Sequence, residues 1–160
     1  MELSINENNT YFNKWYLKGK NNNNVYEKLL FGMIHVRALP GTPLNNLSNE
    51  EILKIALNEA KIYSDYNFDG IIIENMFDIP YLKREVGPEI VSMMTVICKE
   101  IKNQYFKHKP VGVQILAGCN KASLAVAYAS GCDFIRSEGF VFGHIADEGF
   151  IDADCGELLR

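Results

Sequence analysis

No stretch of this 160-residue chain approaches the roughly 18 consecutive apolar residues that a membrane-crossing helix needs. Charge of one sign is scarce too. A formal net charge of −4 with 22% charged residues offers no basic face for nucleic acid. The four cysteines, Cys98, Cys119, Cys132 and Cys155, form no C-x-x-C pair, so the common zinc and dithiol motifs are missing. They are also too sparse for a disulfide-stapled secreted scaffold, and reduced thiols in the cytoplasm are the expectation. Arginine is absent from residues 1–28, which instead carry Glu2, Glu7 and Glu27. That composition disfavours a mitochondrial presequence, although it leaves a mitochondrial address open. What the chain does have is 48% hydrophobic residues, enough for the core of one domain and too many for wholesale disorder.

Residues 1–28 read as an extension of their own. Eight asparagines precede Val25, including the run Asn21 to Asn24, and apolar periodicity is weak. The expectation is a poorly ordered leader or a short appended helix around the cluster Tyr11, Phe12, Trp15, Tyr16 and Leu17. From Leu29 onward a rhythm sets in. Leu30 to Val36 is a short apolar run of strand length, broken by Pro40, Gly41 and Pro43. Ser48 and Glu51 then match a capping box, and Ile52, Leu53, Ala56, Leu57 and Ala60 recur at helical spacing.

The same events repeat along the chain. Gly70 to Ile73, Pro110 to Leu116 and Cys132 to Arg136 are further strands. Helices are predicted between them, from Ile90 to Ile101 and from Ala122 to Ser130, with Gly131 placed to end the latter in a left-handed turn. Residues 139–151 read as a glycine-containing loop, and 152–160 begin to look helical. Strands that are apolar on both faces and separated by helices imply a parallel sheet, either doubly wound or closed into a barrel. No G-x-G-x-x-G or G-x-x-x-x-G-K-[ST] occurs, which weakens the nucleotide-binding open sheet. The better fit is the N-terminal half of a (β/α)₈ barrel, about four βα units over residues 29–160.

In a barrel the chemistry sits at the C-terminal strand ends. Those positions hold His35; then Glu74, Asn75 and Asp78; then Gln114; then Arg136 and Glu138, with His144, Asp147, Glu148 and Asp152 following. Each has a duller explanation. His35 alone reads as well as a satisfied core histidine, Arg136 and Glu138 as a mutual pair, Asp147 and Asp152 as turn or cap residues. Together they are more telling, because four successive strands place polar groups at one end, where buried charge is costly unless paired or used. His35, Asp78 and His144 are the candidate catalytic groups. Glu74, Asn75, Gln114, Arg136 and Glu138 are the candidate substrate-binding groups. The histidines with Asp78, Glu138, Asp147 and Asp152 suit acid–base work or a divalent metal, and no spacing selects between them.

Gly32-Met33-Ile34-His35-Val36 followed by Leu39-Pro40-Gly41-Thr42-Pro43 resembles the opening motif of the BtpA family. Asp69 to Asn75 with Asp78 and Pro80, Pro110 to Leu116, and Asp133 to Arg136 running into Asp147 to Ile151 resemble the same family in the same order. Ser137-Glu138-Gly139, where bacterial members usually have Arg-Val-Asn, looks like the animal branch. The resemblance implies a TIM barrel of about 250 to 270 residues, with His35, Gly41, Glu74, Asn75, Asp78, Gln114, Arg136 and Asp147 at motif positions. The bacterial namesake is associated with accumulation of photosystem I, and SgcQ-like relatives with nucleosidase or sugar chemistry. No reaction is implied for animal members.

Four strands make half a barrel, so the chain is expected to be a fragment, a truncated isoform or an incomplete gene model, with pairing of two half-barrels as a rescue. The leading functional expectation is an enzyme, nucleosidase-like or a lyase, acting on a small, phosphorylated sugar or nucleoside-type metabolite. A Schiff-base aldolase is disfavoured because no lysine lies at a strand end. The competing expectation is a non-catalytic assembly or stability factor, which calls for an exposed apolar patch away from the barrel mouth.

Overall fold

A computed structural model describes residues 28–160; the expectations for the preceding leader, including its aromatic cluster, lie outside the described residues. The chain divides into two units, Met1–Leu30 and Phe31–Arg160, and the second contains every strand and helix among the described residues. Strands β1 (Phe31–His35), β2 (Gly70–Glu74), β3 (Val111–Gln114) and β4 (Phe134–Ile135) alternate with helices α1 (Asn49–Asp65), α2 (Pro88–Gln104) and α3 (Asn120–Ser130). A hairpin of β5 (His144–Ala146) and β6 (Gly149–Ile151) and a short helix α4 (Cys155–Leu158) close the order.

The local signals act where the sequence put them. Ser48 accepts from the Glu51 amide while Glu51 accepts from the Ser48 amide, a reciprocal cap worth about 1 kcal/mol at the start of α1. Gly131 ends α3 at φ +79°, a conformation that a Cβ would strain. The segment expected to be a loop at residues 139–151 is instead partly a hairpin. Its apolar and polar residues are too few to announce strands, but Gly149 at φ +99° permits the tight Asp147–Glu148 turn that brings Ala146 against Gly149.

All four main strands are parallel and lie in the order β1-β2-β3-β4. A doubly wound sheet would reverse its order at the first strand; a barrel adds each strand beside the last. The sheet is therefore the N-terminal half of a (β/α)₈ arrangement. Side chains alternate across it. Ile34, Ile71, Ile73, Val111, Val113 and Ile115 face the helices and are fully buried against Ile52, Ala60, Met94 and Ile97. On this side Gly32 leaves room for the Tyr63 ring, which would lie 2.6 Å from a Cβ placed there.

The opposite face carries Phe31, Met33, Ile72 and Phe134 toward its base and the polar residues at its upper end. Two glycines shape that base. A Cβ on Gly112 would meet the Phe134 ring at 2.3 Å, and one on Gly70 would meet Phe31 at 2.5 Å. Their absence lets the two rings approach edge to face at 5.9 Å across the intervening strands.

Candidate functional site

Strand register decides which polar groups share a surface. His35 pairs with Glu74 and Glu74 with Gln114, while Val113 pairs with Ile135. Arg136 thus stands level with Gln114, and four polar residues form one row along the C-terminal edge of the sheet. Asn75, one residue further along the chain than Glu74, faces the other way. Period-two alternation splits the strand-end set into two groups with different neighbours.

The row opens into a cleft of ≈ 330 Å³ lined by Glu74, Tyr81, Gln114, Arg136, Ser137 and Glu138, with Met76 and Leu116 as its apolar walls. Glu74 is only 3% exposed; its Oε1 accepts from Arg136 Nη1 at 2.6 Å, and its Oε2 lies 3.9 Å from His35 Nε2. A carboxylate so deeply placed needs that guanidinium, which itself remains more than half exposed. His35 is half-exposed at the strand end rather than in the core, so the core-histidine reading is corrected.

On the far side, Glu138 accepts from the Gly118 amide at 2.9 Å through Oε2, and its Oε1 is 3.3 Å from His144 Nε2. The start of α3 fixes this carboxylate, because Asn120 Nδ2 donates to the Glu138 carbonyl and Asn120 Oδ1 accepts from its amide. Arg84 braces the same loop by donating to the carbonyls of Gly118, Glu138, Gly139 and Asp152 and to the Asp154 carboxylate. Two polar atoms of the cleft wall, Gln114 Oε1 and Ser137 Oγ, are buried without a hydrogen-bond partner among the described residues. The Tyr81 phenol donates to the Met76 carbonyl at 2.7 Å. Burial raises its pKa first, and the charges of Glu148, Asp78 and Glu74 add to the rise.

The second group is a clamp. Asp78 Oδ1 accepts from the Leu39 amide at 2.7 Å and its Oδ2 from Asn75 Nδ2 at 2.8 Å; Asn75 Oδ1 accepts from the Leu116 amide at 2.8 Å. The loops after β1, β2 and β3 are thereby tied together at a point where both side chains are buried. Desolvation raises the Asp78 pKa, opposed by these two hydrogen bonds. Asn75 and Asp78 border a separate cavity of ≈ 200 Å³ with Gly41, Glu89 and Ile90.

Of the candidates from sequence, Glu74, Gln114, Arg136 and Glu138 line the cleft, His35 and His144 reach it through their carboxylates, and Asn75 and Asp78 do not line it. Asp147 occupies the β5–β6 turn, and Asp152 meets Arg84 through its carbonyl rather than capping a helix. Among the described residues, no three His, Cys, Asp or Glu side chains come together to hold a metal ion. Tyr81, Ser137 and Arg84 carried no sequence signal as site residues. Ser137 was legible only within the Ser137-Glu138-Gly139 stretch of the family resemblance, without a role. Lys121, in the first turn of α3, pairs with Glu157.

Fold and site define an α/β protein of the barrel type, with a charged and partly unsatisfied cleft at its strand ends. The chain belongs to the BtpA family, whose sequence profile matches residues 26–160. It is similar to "Uncharacterized protein F13E9.13, mitochondrial" of Caenorhabditis elegans, 52% identical over 82% of this chain and 49% of the relative. It is also similar to an uncharacterized protein of Archaeoglobus fulgidus, 34% identical over 84% of this chain and 53% of the relative. A third relative is "Photosystem I biogenesis protein BtpA" of Synechocystis, 33% identical over 82% of this chain and 45% of the relative. The chain spans about half the length of the curated relatives it matches. No solved structure matches it. No helix among the described residues is long and apolar enough to cross a membrane.

Proposed function

We propose that the cleft binds a small sugar- or nucleoside-type metabolite and that the barrel it belongs to is an enzyme acting on it. The observation that carries this reading is the strand-end cleft of ≈ 330 Å³, whose wall brings together Glu74, Gln114, Arg136 and Glu138 from three successive strands. Glu74 beside His35 and Glu138 beside His144 supply two carboxylate–histidine pairs, the composition that general acid–base chemistry uses. A phosphate on the metabolite would be held by the later strand ends of the full-length relatives, where barrels commonly bind one. Four free cysteines favour a reducing compartment, cytoplasmic in the simplest reading. The test is a thermal-shift screen of sugars and nucleosides on the wild-type chain and on Glu74→Gln. Stabilisation by one class, abolished in the variant, supports the reading; no shift with any compound overturns it.

A second reading rests on the hairpin. Phe142 and Ile145 are 83% and 84% exposed, with Val141 and Phe150 also uncovered, so several apolar side chains stand open to a partner, although beside the mouth, where His144 meets Glu138, rather than away from it. It accords with the printed name of the Synechocystis relative. Retained ligand binding after Phe142→Ser and Ile145→Ser, with loss of a partner in co-purification from the native source, would favour it.

A further inference from the structure

We infer that Cys132 and Cys98 form a redox-active thiol pair, Cys132 attacking a small hydroperoxide and Cys98 resolving the product into a disulfide. The pair lies away from the cleft, at the end of the fold where the strands begin. Cys132 stands two residues before β4, and Cys98 lies in the C-terminal half of α2. Cys98 is fully buried in the core, whereas Cys132 is partly exposed and packs against that core. The Cys98 thiol donates a hydrogen bond to the Cys132 sulfur. Ser130 Oγ approaches the same sulfur at 3.2 Å, closer than its other acceptor, the Ala127 carbonyl, at 3.4 Å. Two donors converging on one sulfur favour its thiolate. The Lys102 ammonium adds positive charge, offset by the Asp133 carboxylate to which it donates at 2.6 Å. The hydrogen bond from Cys98, and then that from Ser130, hold the Cys132 thiol below its ordinary value against the burial that raises it. The same hydrogen bond, with burial, pushes the Cys98 thiol up. Cys119 differs in kind: its thiol is a donor toward the Leu82 and Ala117 carbonyls, as a protonated sulfur is.

The arrangement divides the chemistry between the two thiols. A thiolate is the nucleophile, and the partly exposed sulfur is the one that a peroxide reaches. Cys132 attacks one oxygen of hydrogen peroxide. An S–O bond forms, the O–O bond breaks, and the departing hydroxide takes up the proton that the thiol released. Cys132 is then a sulfenic acid and one water has left. The Cys98 sulfur next attacks that of Cys132. An S–S bond forms, the S–O bond breaks, and hydroxide leaves with the Cys98 proton as a second water. Each sulfur gives up one electron, and the peroxide oxygens gain both. A core position suits the resolving role, because Cys98 is sealed from the oxidant and meets only its neighbour. The disulfide staples α2 to the chain entering β4, and a small reducing thiol reverses it. A transient bridge of this kind fits cysteines that are otherwise free.

The test exposes the reduced full chain to hydrogen peroxide and follows it by intact mass and peptide mapping. The expected product has lost two hydrogens, maps to a cross-link between Cys98 and Cys132, and reverts with dithiothreitol. This part needs no variant, so it stands whether or not a substitution in the core is tolerated. Cys98→Ala is expected to halt at the sulfenic acid, which dimedone captures at Cys132. Cys132→Ser is expected to leave Cys98 unoxidised at the same peroxide concentration. Ser130→Ala, which removes one donor from the attacking sulfur, is expected to slow cross-linking about threefold. Oxidation that maps first to Cys155 or Cys119 overturns the pair, as does a cross-link between two chains. So does Cys132 passing to sulfinic acid without bridging, or an unchanged mass under peroxide that oxidises the free amino acid cysteine.

Discussion

Glu74 and Asn75 are neighbours in sequence, both buried at the end of β2, and they do opposite work. Asn75 faces the loops and, with Asp78, satisfies the Leu39 and Leu116 amides in a closed network. Glu74 faces the cleft, where two atoms of the wall have no partner among the described residues. A saturated polar cluster stabilises a fold; an unsaturated one is a standing cost to it. One residue of strand register separates the two.

The largest effect should come from cutting the saturated side. Asp78→Ala strands the Leu39 amide and Asn75 Nδ2, both buried, and is expected to lower unfolding stability by about 2–4 kcal/mol in urea titrations. A loss below about 0.5 kcal/mol would show that the clamp does not hold the loops. Cutting the cleft side should do the reverse. Gln114→Met is expected to leave stability unchanged or raise it by up to about 1 kcal/mol, because nothing pairs with Oε1 in the unliganded protein.

The clamp should also leave a signature in pH. Burial raises the Asp78 pKa above its usual 3.8, so its contribution to stability is full below that value and is lost as pH rises through the elevated one. Wild type should therefore lose ground relative to Asp78→Asn as the pH is raised from 3.8; a difference constant with pH would contradict the burial. Burial likewise pushes the Cys119 thiol up to about 12, against nearby Arg84, so its proton adds stability that fades only as pH rises from 9.0 toward 12. Its alkylation by iodoacetamide at about pH 8 should be far slower than that of the unfolded chain. The smallest effect belongs to the exposed rim, where His144→Ala should change stability by less than about 0.5 kcal/mol.

Most of the repeating unit could be read from the chain. The capping box at Ser48, the αL position at Gly131 and the β-branched run Ile71 to Ile73 each act through neighbours a few residues away, and each appears as expected. The hairpin was not legible, since its strands are three residues long and their pairing depends on one glycine turn. Asp78 sat in the expected region, but its partners are 3 and 39 residues distant, and no local pattern distinguishes a clamp from a catalytic acid. Arg84 had no signal at all: the hydrogen-bond partners of its side chain lie 34 to 70 residues away.

By itself, then, the sequence determined the βα alternation and the end at which polar groups collect, because periodicity and capping are short-range properties of the chain, whereas the strand order that marks a barrel was settled by the sheet. Only the tertiary structure decided which of those polar groups are spent on one another and which remain unsatisfied. Hydrogen bonding at buried sites is settled by register and loop closure over tens of residues, and there a shift of one position moves a side chain to the other face of the sheet.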